Sequence, residues 1–290
     1  NLTSFADTDV LAIGDLVPEA AREKAAKYDV PAAGDVATVL DHPGVEIVVN
    51  LTIPAAHAEV AGQVIAAGRH VWNEKPLTLD RFSGERLLRD AAAARLRIGC
   101  APDTFLGSGL QTACRLIEQG MIGTPLTALA LLQSPGPESW HPNPAFLYAA
   151  GAGPLFDLGP YYLTALVQVF GSVASVVALG SKARERRVIG SGPKAGEEFD
   201  VTVPSHVSAL AQFESGQSAQ AMFSFDSALP RTLLEVNGTD ATMLFPDPNF
   251  FDGDIAAATI VVHEPPVVPR IALDDVAPVV PVRPRKQARH

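Results

Sequence analysis

Two short apolar runs that each end in a turn decide the fold of this chain: VEIVVNLTIP at residues 45–54 and HVWNEKP at residues 70–76. Both contain the β-branched and aromatic residues that are typical of strands. The segment between them, His57–Ala67, has a helical pattern that stops at Gly68. A strand, a helix and a second strand in this order predict a βαβ unit with parallel strands.

The first hundred residues repeat this alternation. Val10–Ile13 and Ile98–Cys100 have the composition of strands, whereas Pro18–Tyr28 and Thr78–Arg95 have that of helices. Regular alternation predicts an α/β fold with a Rossmann-like, doubly wound parallel sheet. We therefore expect residues 1–102 to form a dinucleotide-binding domain.

The pattern changes after Asp103. Helices are predicted at Gly107–Gln119 and Phe156–Phe170, and the Pro-rich segment 134–144 is expected to form an ordered loop or a lid. Strands joined by short turns predict an α+β domain with an open, mainly antiparallel sheet over residues 103–263. The predicted strands are Leu126–Leu132, Val173–Leu179, Val201–Phe213, Ser218–Phe225, Thr232–Val236 and Thr242–Phe245.

Composition and charge exclude several classes of protein. A net charge of -10 and a pI of about 5.1 argue against nucleic acid and anionic membranes as partners. The longest apolar runs, such as Thr164–Phe170, are far shorter than the ~20 residues that span a bilayer. The start shows no export signal, and Cys100 and Cys114 suggest neither a metal site nor a disulfide, so we expect a cytoplasmic protein without metal. Residues 264–290 are Pro-rich with a basic end, which is typical of a disordered tail.

Asp15 directly follows the first predicted strand. An acid at this place in a dinucleotide fold accepts hydrogen bonds from the adenosine ribose and would repel a 2′-phosphate, which favours NAD over NADP. Asp15 could equally be a turn residue or the cap of the next helix. The Gly-rich loop expected about 20 residues before such an acid would lie upstream of Asn1. The sequence therefore predicts a Rossmann domain without its first strand.

Polar residues also follow the run at 45–54. Asn50, Thr52 and Pro54 lie where a parallel strand ends, and ligands of open α/β sheets bind outside these ends. We expect them to line a cofactor cleft, although a plain strand-to-helix turn explains Pro54 as well. His57 is a further candidate at this cleft, but it also suits the first turn of the following helix.

Glu74-Lys75-Pro76 ends the next run. The lysine amine would emerge at the cofactor edge, where it could reach a substrate hydroxyl, and a cis Pro76 would aim it into the cleft. The alternative is an exposed Glu-Lys pair before a helix.

The segment around Asp157 is the last candidate. Asp157 and Tyr161 are four residues apart and share one face of a helix, where a carboxylate and a phenol could orient substrate and handle protons. They could instead be a helix cap and a core tyrosine. Trp140 and His141, in the Pro-rich segment, could stack on a sugar and hydrogen-bond to it, or serve the loop only.

Together these motifs resemble the Gfo/Idh/MocA family, the glucose-fructose oxidoreductase and inositol dehydrogenase group. The resemblance covers residues 1 to about 251 and rests on Asp15, on Glu74-Lys75-Pro76 and on the Asp157/Tyr161 segment. It implies a Rossmann domain, a substrate domain whose open sheet often mediates oligomers, a Lys75 that assists proton transfer, and a substrate pocket lined by Asp157 and Tyr161. Many members have His where this chain has Tyr161; the tyrosine is similar to the glucose-fructose oxidoreductase branch.

The resemblance implies an NAD-dependent oxidoreductase, with NADP as the alternative cofactor, that transfers a hydride to or from a sugar or polyol. Either Tyr161 or Lys75 would move the hydroxyl proton while Asp157 orients the substrate. Two other hypotheses remain open. One is a non-catalytic binding protein of the same fold, and the other is NAD-assisted elimination or glycoside cleavage.

Overall fold

A computed structural model describes residues 2–259 of the chain, and its first half alternates strands and helices. Helix α1 begins with Pro18, whose fixed φ suits a first turn. Asp80 caps the N-terminus of helix α4, and its carboxylate accepts a hydrogen bond from the Ser83 amide at 2.8 Å. The elements of this half are β1 (Ala12–Gly14), α1 (Pro18–Tyr28), β2 (Ala32–Gly34), α2 (Val36–Leu40), β3 (Ile47–Asn50), α3 (His57–Ala66), β4 (His70–Asn73), α4 (Arg81–Ala93) and β5 (Ile98–Cys100).

The strands of the first half form two parallel sheets. β1 pairs with β2, and β4 lies between β3 and β5. α3 and α4 pack together beside the second sheet, where Val64 and Leu87 are buried. Because all three strands are parallel, their carboxyl ends meet at one edge, with Asn50 beside Asn73 and Asn73 beside Cys100. This edge carries most of the candidate site residues.

The second half is built on a seven-stranded sheet. Its strands, in spatial order, are β14 (Ala256–Thr259), β13 (Ala241–Leu244), β12 (Arg231–Gly238), β6 (Pro125–Gln133), β11 (Ser218–Ser224), β10 (His206–Phe213) and β7 (Val173–Ser181). β6 and β11 are parallel, and every other neighbouring pair in this described sheet is antiparallel. The predicted open, mainly antiparallel sheet is thus confirmed. The helices of this half are α5 (Ser108–Glu118) and α6 (Gly153–Phe170). A separate antiparallel pair of strands consists of β8 (Arg186–Val188) and β9 (Glu198–Asp200).

Helices α5 and α6 cover one face of this sheet. Leu110 of α5 and Tyr162 and Leu166 of α6 are buried with Phe223 of β11 in the largest apolar core. The edge strand β7 is exposed along its whole length. The main stabilising burial of the second half therefore lies on the helix side of the sheet.

Several short elements differ from the sequence prediction. β2 and α2, of three and five residues, were not predicted, nor were β8, β9 and β14. The strand predicted at Val201–Phe213 begins only at His206, because Pro204 has no N–H with which to join a strand ladder. The Pro-rich segment 134–144 lies outside the sheet and contains a 3₁₀ turn at Pro137–Ser139.

The described residues pack as one unit that ends at Thr259. A domain boundary between 102 and 103 therefore stays a prediction. The predicted tail, 264–290, and the last residues of the predicted second domain lie outside the described residues. Among residues 2–259, no helix combines the length and hydropathy that crossing a membrane requires.

Candidate active site

Lys75 lies in the turn after β4 and connects the two halves of the chain. Its ammonium donates to the Asp157 carboxylate at 2.8 Å and to the Asp157 carbonyl at 2.6 Å. Its backbone N–H donates to the Glu74 carboxylate at 2.9 Å. The Lys75–Pro76 peptide bond is cis. The side chains of Lys75 and Asp157 are 17% and 28% exposed, so this ion pair is partly shielded from water yet still open on one side.

Tyr161 completes a triad with Lys75 and Asp157. It lies one helical turn after Asp157 on α6, and its ring centroid is 5.4 Å from the Lys75 ammonium, within cation–π range. Burial, together with the nearby carboxylates of Glu74, Asp157 and Asp103, raises the pKa of Tyr161 to about 12. The phenol therefore keeps its proton at neutral pH and can donate a hydrogen bond.

A buried polar network lies directly beneath the strand ends. Asn50 and Asn73 are 2% and 0% exposed, and the Asn50 side-chain amide donates to the Asn73 side-chain oxygen at 2.7 Å. The Asn73 amide in turn donates to the Leu77 carbonyl at 3.1 Å. The Thr52 hydroxyl donates to the Asn50 side-chain oxygen at 2.8 Å. These hydrogen bonds tie the loop after β3 to the turn after β4.

His57, the first residue of α3, belongs to this network and not to the surface of the cleft. It is 1% exposed, and its two ring nitrogens contact the backbone carbonyls of Thr52 and Pro76. Neither nitrogen is free to reach a cofactor. The structure therefore does not support the prediction that His57 binds the cofactor directly. Pro54 begins the 3₁₀ turn Pro54–Ala56 that leads into α3.

Asp15 and three exposed apolar side chains follow the carboxyl ends of β1 and β3. One oxygen of the Asp15 carboxylate accepts a hydrogen bond from the Val17 amide at 2.8 Å, and within residues 2–259 the second oxygen makes no recorded hydrogen bond. Asp15 thus acts as a turn residue while keeping an acceptor for a ribose hydroxyl. Leu16 after β1 and Leu51 and Ile53 after β3 are 91%, 68% and 68% exposed. Such apolar side chains at a cleft edge are suited to contact flat rings.

Trp140 and His141 lie in the Pro-rich segment. Trp140 is 68% exposed, and its ring centroid is 5.6 Å from that of His141. The Nδ1 atom of His141 accepts a hydrogen bond from the Asn143 amide at 3.0 Å. Within the described part of the chain, no recorded hydrogen bond or ring contact joins these two side chains to Lys75, Asp157 or Tyr161.

A buried ionic cluster anchors this segment, and sequence reasoning missed it. We define the Arg187 cluster as Arg187, Glu138, Asp226, Tyr148 and Ser205. The guanidinium is hydrogen-bonded to both carboxylates and lies 4.9 Å from the Tyr148 ring centroid. The Tyr148 hydroxyl donates to Glu138 at 2.5 Å, and the Ser205 hydroxyl donates to Asp226 at 2.6 Å. The cluster fixes the start of the Pro-rich segment against the sheet.

Metal binding has no structural support in the described region. Across residues 2–259, no group of three or more His, Cys, Asp or Glu side chains is placed to hold a metal ion.

The comparisons with known proteins agree with this geometry. Residues 2–100 match an oxidoreductase family with an NAD-binding Rossmann fold, and residues 110–244 match the GFO/IDH/MocA C-terminal domain. The dTDP-3,4-didehydro-2,6-dideoxy-alpha-D-glucose 3-reductase of Saccharopolyspora spinosa is 29% identical over 163 residues, which cover 55% of this chain and 48% of the relative. The scyllo-inositol 2-dehydrogenase (NADP(+)) IolW of Bacillus subtilis is 26% identical, covering 54% of this chain and 44% of the relative.

A solved structure of levoglucosan dehydrogenase, in complex with NADH and L-sorbose, shares the fold. It has a TM-score of 0.73 and 20% sequence identity, and the match covers 88% of this chain and 68% of that one. The chain spans just under half the length of each of the two curated relatives. Two matches in sequence order, an NAD-binding Rossmann domain and then the family's C-terminal domain, agree with the two halves of the fold. The chain therefore belongs to the GFO/IDH/MocA family of oxidoreductases.

Proposed function

We propose that this protein is an NAD(P)-dependent oxidoreductase that moves a hydride between the nicotinamide and a carbinol carbon of a sugar or polyol. The observation that carries the proposal is the Lys75–Asp157 ion pair beside Tyr161, at the carboxyl edge of parallel strands. The two curated relatives support it, because one is by name a reductase of a dideoxy sugar and the other an inositol dehydrogenase.

Lys75 is the residue that we assign to proton transfer. When bound, NAD(P) supplies the site with a hydride donor or acceptor. In the direction of reduction, the Lys75 ammonium donates a proton to the carbonyl oxygen, and in the direction of oxidation its amine takes the proton back. The Asp157 carboxylate, at 2.8 Å, holds the ammonium in place and stabilises its charge.

Tyr161 is assigned to hydrogen bonding, not to proton abstraction. With a pKa of about 12, its phenol remains protonated at neutral pH and is a poor general base. It donates to a substrate oxygen and so helps to orient the reacting carbon. The sequence alone left open whether Tyr161 or Lys75 moves the proton, and this pKa favours Lys75.

Of the remaining candidates, Asp15, Thr52 and Pro54 bind the cofactor, and Trp140 and His141 bind the far end of the substrate. Asp15 offers its second carboxylate oxygen to the adenosine ribose, and its charge favours NAD over NADP. Thr52 and Pro54 line the nicotinamide side. Trp140 offers an exposed stacking face to a sugar, and His141 offers its Nε2 atom as a hydrogen-bonding group.

Two measurements test the proposal. NADH fluorescence is titrated with the full-length protein, and turnover is measured with scyllo-inositol, L-sorbose and levoglucosan. We expect Lys75→Met to lower kcat by about 10²- to 10⁴-fold, the usual range for general acid–base catalysis, while NADH still binds. Lys194→Met, which removes an exposed lysine, is the matched control and keeps wild-type turnover. Failure of the wild type to bind NADH, or wild-type kcat in Lys75→Met, would contradict the proposal.

We also propose that the exposed side of the large sheet binds a second copy of the chain. Val177 and Leu179 of β7 are 70% and 77% exposed, and Leu210 of β10, which pairs with Val177 and lies on the same face, is 58% exposed. Contiguous exposed apolar side chains on one face are typical of subunit interfaces. If this holds, the wild type sediments as a dimer and Val177→Lys sediments as a monomer.

The two cysteines, both free thiols, suit the proposed cytoplasmic location.

A further inference from the structure

His57 is a buried histidine with an unusual set of contacts. Its ring is 1% exposed, with Nδ1 2.6 Å from the Pro76 carbonyl oxygen and Nε2 2.8 Å from the Thr52 carbonyl oxygen. A carbonyl oxygen can only accept hydrogen bonds, so a ring nitrogen that carries a proton donates to the carbonyl that it faces. Among residues 2–259, no carboxylate lies within ion-pair distance of the ring.

The two carbonyls belong to the two turns that frame the candidate active site. Thr52 follows β3, where the cofactor edge begins, and Pro76 directly follows Lys75. One rigid, buried ring therefore spans the loop on the cofactor side and the turn that carries the proton-transfer residue. A hydrogen bond from the Asn50 side-chain amide to the Asn73 side-chain oxygen, both buried, joins the ends of the same two strands.

We propose that His57 is a positioning residue that fixes Lys75 relative to the cofactor loop by bridging the Thr52 and Pro76 carbonyls. This inference rests on the proposed function, since it assigns the purpose of the bridge to the proton-transfer step at Lys75. His57 touches neither substrate nor cofactor. Its effect passes through the backbone of the turn to the lysine ammonium, which must meet Asp157 and the substrate oxygen together.

Removing the bridge is expected to slow the chemical step more than it weakens binding. A displacement of about 1 Å at a reacting group can cost roughly 100-fold in rate. We therefore expect His57→Leu to lower kcat by about 10- to 100-fold, with the KM for NADH changed less than about threefold. His57→Gln keeps one amide donor for one of the two carbonyls, so its kcat should lie between those of wild type and His57→Leu.

The control is His70→Gln, at the opposite end of β4. The Nδ1 atom of His70 accepts a hydrogen bond from the Arg97 amide at 2.9 Å, so this residue also binds backbone but lies away from the carboxyl edge. Its substitution should leave kcat within about twofold of wild type, because the carboxyl-edge contacts remain.

A kinetic isotope effect separates positioning from mere loss of folded enzyme. The substrate with the highest turnover among scyllo-inositol, L-sorbose and levoglucosan is used, and the transferred hydrogen, on the polyol or on NADH, is replaced by deuterium. If His57 positions Lys75, the isotope effect on kcat rises in His57→Leu and His57→Gln as the chemical step becomes rate-limiting. If the substitutions only reduce the folded fraction, the apparent kcat falls but the isotope effect stays at the wild-type value, which overturns the proposal.

A second readout does not require turnover. In protein labelled with ¹⁵N-lysine, the side-chain signal of Lys75, identified by its loss in Lys75→Met, should shift in His57→Gln and stay unchanged in His70→Gln. An unmoved Lys75 signal in folded His57→Gln overturns the inference even if the wild type is active. Absence of NADH binding in the wild type, with a Lys75 signal that does respond to His57→Gln, refutes the proposed function and leaves the bridge itself supported.

Discussion

Replacing Arg187 by methionine should destabilise the protein strongly, because two buried carboxylates depend on this one guanidinium. Arg187 is 4% exposed, and the side chains of Glu138 and Asp226 are each 14% exposed. The guanidinium also donates to the carbonyls of Pro135 and Phe225, each at 2.9 Å. Methionine retains most of the aliphatic stem, so the substitution removes charge and hydrogen bonds with little change in packing volume.

The expected magnitude follows from the burial of the partners. Removing one member of a buried ion pair typically costs about 3–5 kcal/mol, because the remaining charge loses its counterion but stays shielded from water. The whole free energy of unfolding of a domain is usually about 5–15 kcal/mol. For a domain of this size a change of 1 kcal/mol shifts Tm by about 2–4 °C, so Arg187→Met should lower Tm by roughly 6–20 °C.

Urea unfolding followed by circular dichroism measures the effect, and the neighbouring arginine supplies the control. Arg186 pairs with Glu198 and Asp200 at the surface, with its own side chain 65% exposed. Arg186→Met should therefore unfold at nearly the same urea concentration as the wild type.

A rescue variant tests the assigned cause. Neutralising both acids in the triple variant Arg187→Met, Glu138→Gln, Asp226→Asn removes the uncompensated charges and should recover at least half of the lost stability. If Arg187→Met unfolds at the same urea concentration as Arg186→Met, or if the triple variant is no more stable than Arg187→Met, the argument from buried charge is refuted.

Two further predictions follow from pKa values at the strand edge. Tyr161→Phe should lower kcat by about tenfold, which corresponds to the loss of one hydrogen bond. The pH profile of kcat between pH 6 and 9 should not move, because a phenol with a raised pKa of about 12 does not ionise in this range. A shift of the profile in this range would contradict the assigned role of Tyr161. Burial, with the nearby charge of Glu74, raises the pKa of the Cys100 thiol from 9.0 to about 11, so at pH 8 its thiolate should be about 100-fold scarcer than that of an ordinary thiol. Iodoacetamide labelling followed by mass spectrometry should show correspondingly slow alkylation of Cys100, and the alkylation should be faster in Glu74→Gln than in the wild type. Equal alkylation rates in the wild type and Glu74→Gln would refute the assigned effect of the Glu74 charge.

The parts of the site that the sequence predicted are those set by local rules. Lys75 follows a strand whose end was evident from its apolar run, and Asp157 and Tyr161 share a helical face because they are four residues apart. Their convergence, with the Lys75 ammonium 2.8 Å from the Asp157 carboxylate, was implied only by the resemblance to the Gfo/Idh/MocA family, because α6 lies outside the parallel sheet. Short elements such as β2, Ala32–Gly34, escaped prediction because three small residues carry no measurable periodicity.

The parts that escaped prediction depend on contacts between residues far apart in the chain. Arg187 meets Glu138 and Asp226 across 49 and 39 residues, and no local pattern marks that meeting. His57 was placed at the cofactor cleft because its position in the sequence suited it, but burial and the two carbonyls could be known only from the fold. The sequence does contain a pattern that could have identified Asn73, because this residue ends an apolar strand, as Asn50 does.

The ion pair between Lys75 and Asp157 joins the two halves of the chain, and this has a consequence for catalysis. Lys75 belongs to the parallel-strand half and Asp157 to the helix that covers the large sheet, so the ammonium is correctly placed only when both halves keep their relative position. The carboxylates of Glu74, Asp103 and Asp157 lie close enough to Tyr161 to raise its pKa, whereas the Lys75 ammonium lies 5.4 Å from its ring centroid, so acids predominate among these four groups. A substrate bearing a phosphate or carboxylate beside the reacting carbon would meet this repulsion, whereas an uncharged polyol would not. The charge distribution thus supports the proposed sugar or polyol substrate over one with a charged group beside the reacting carbon.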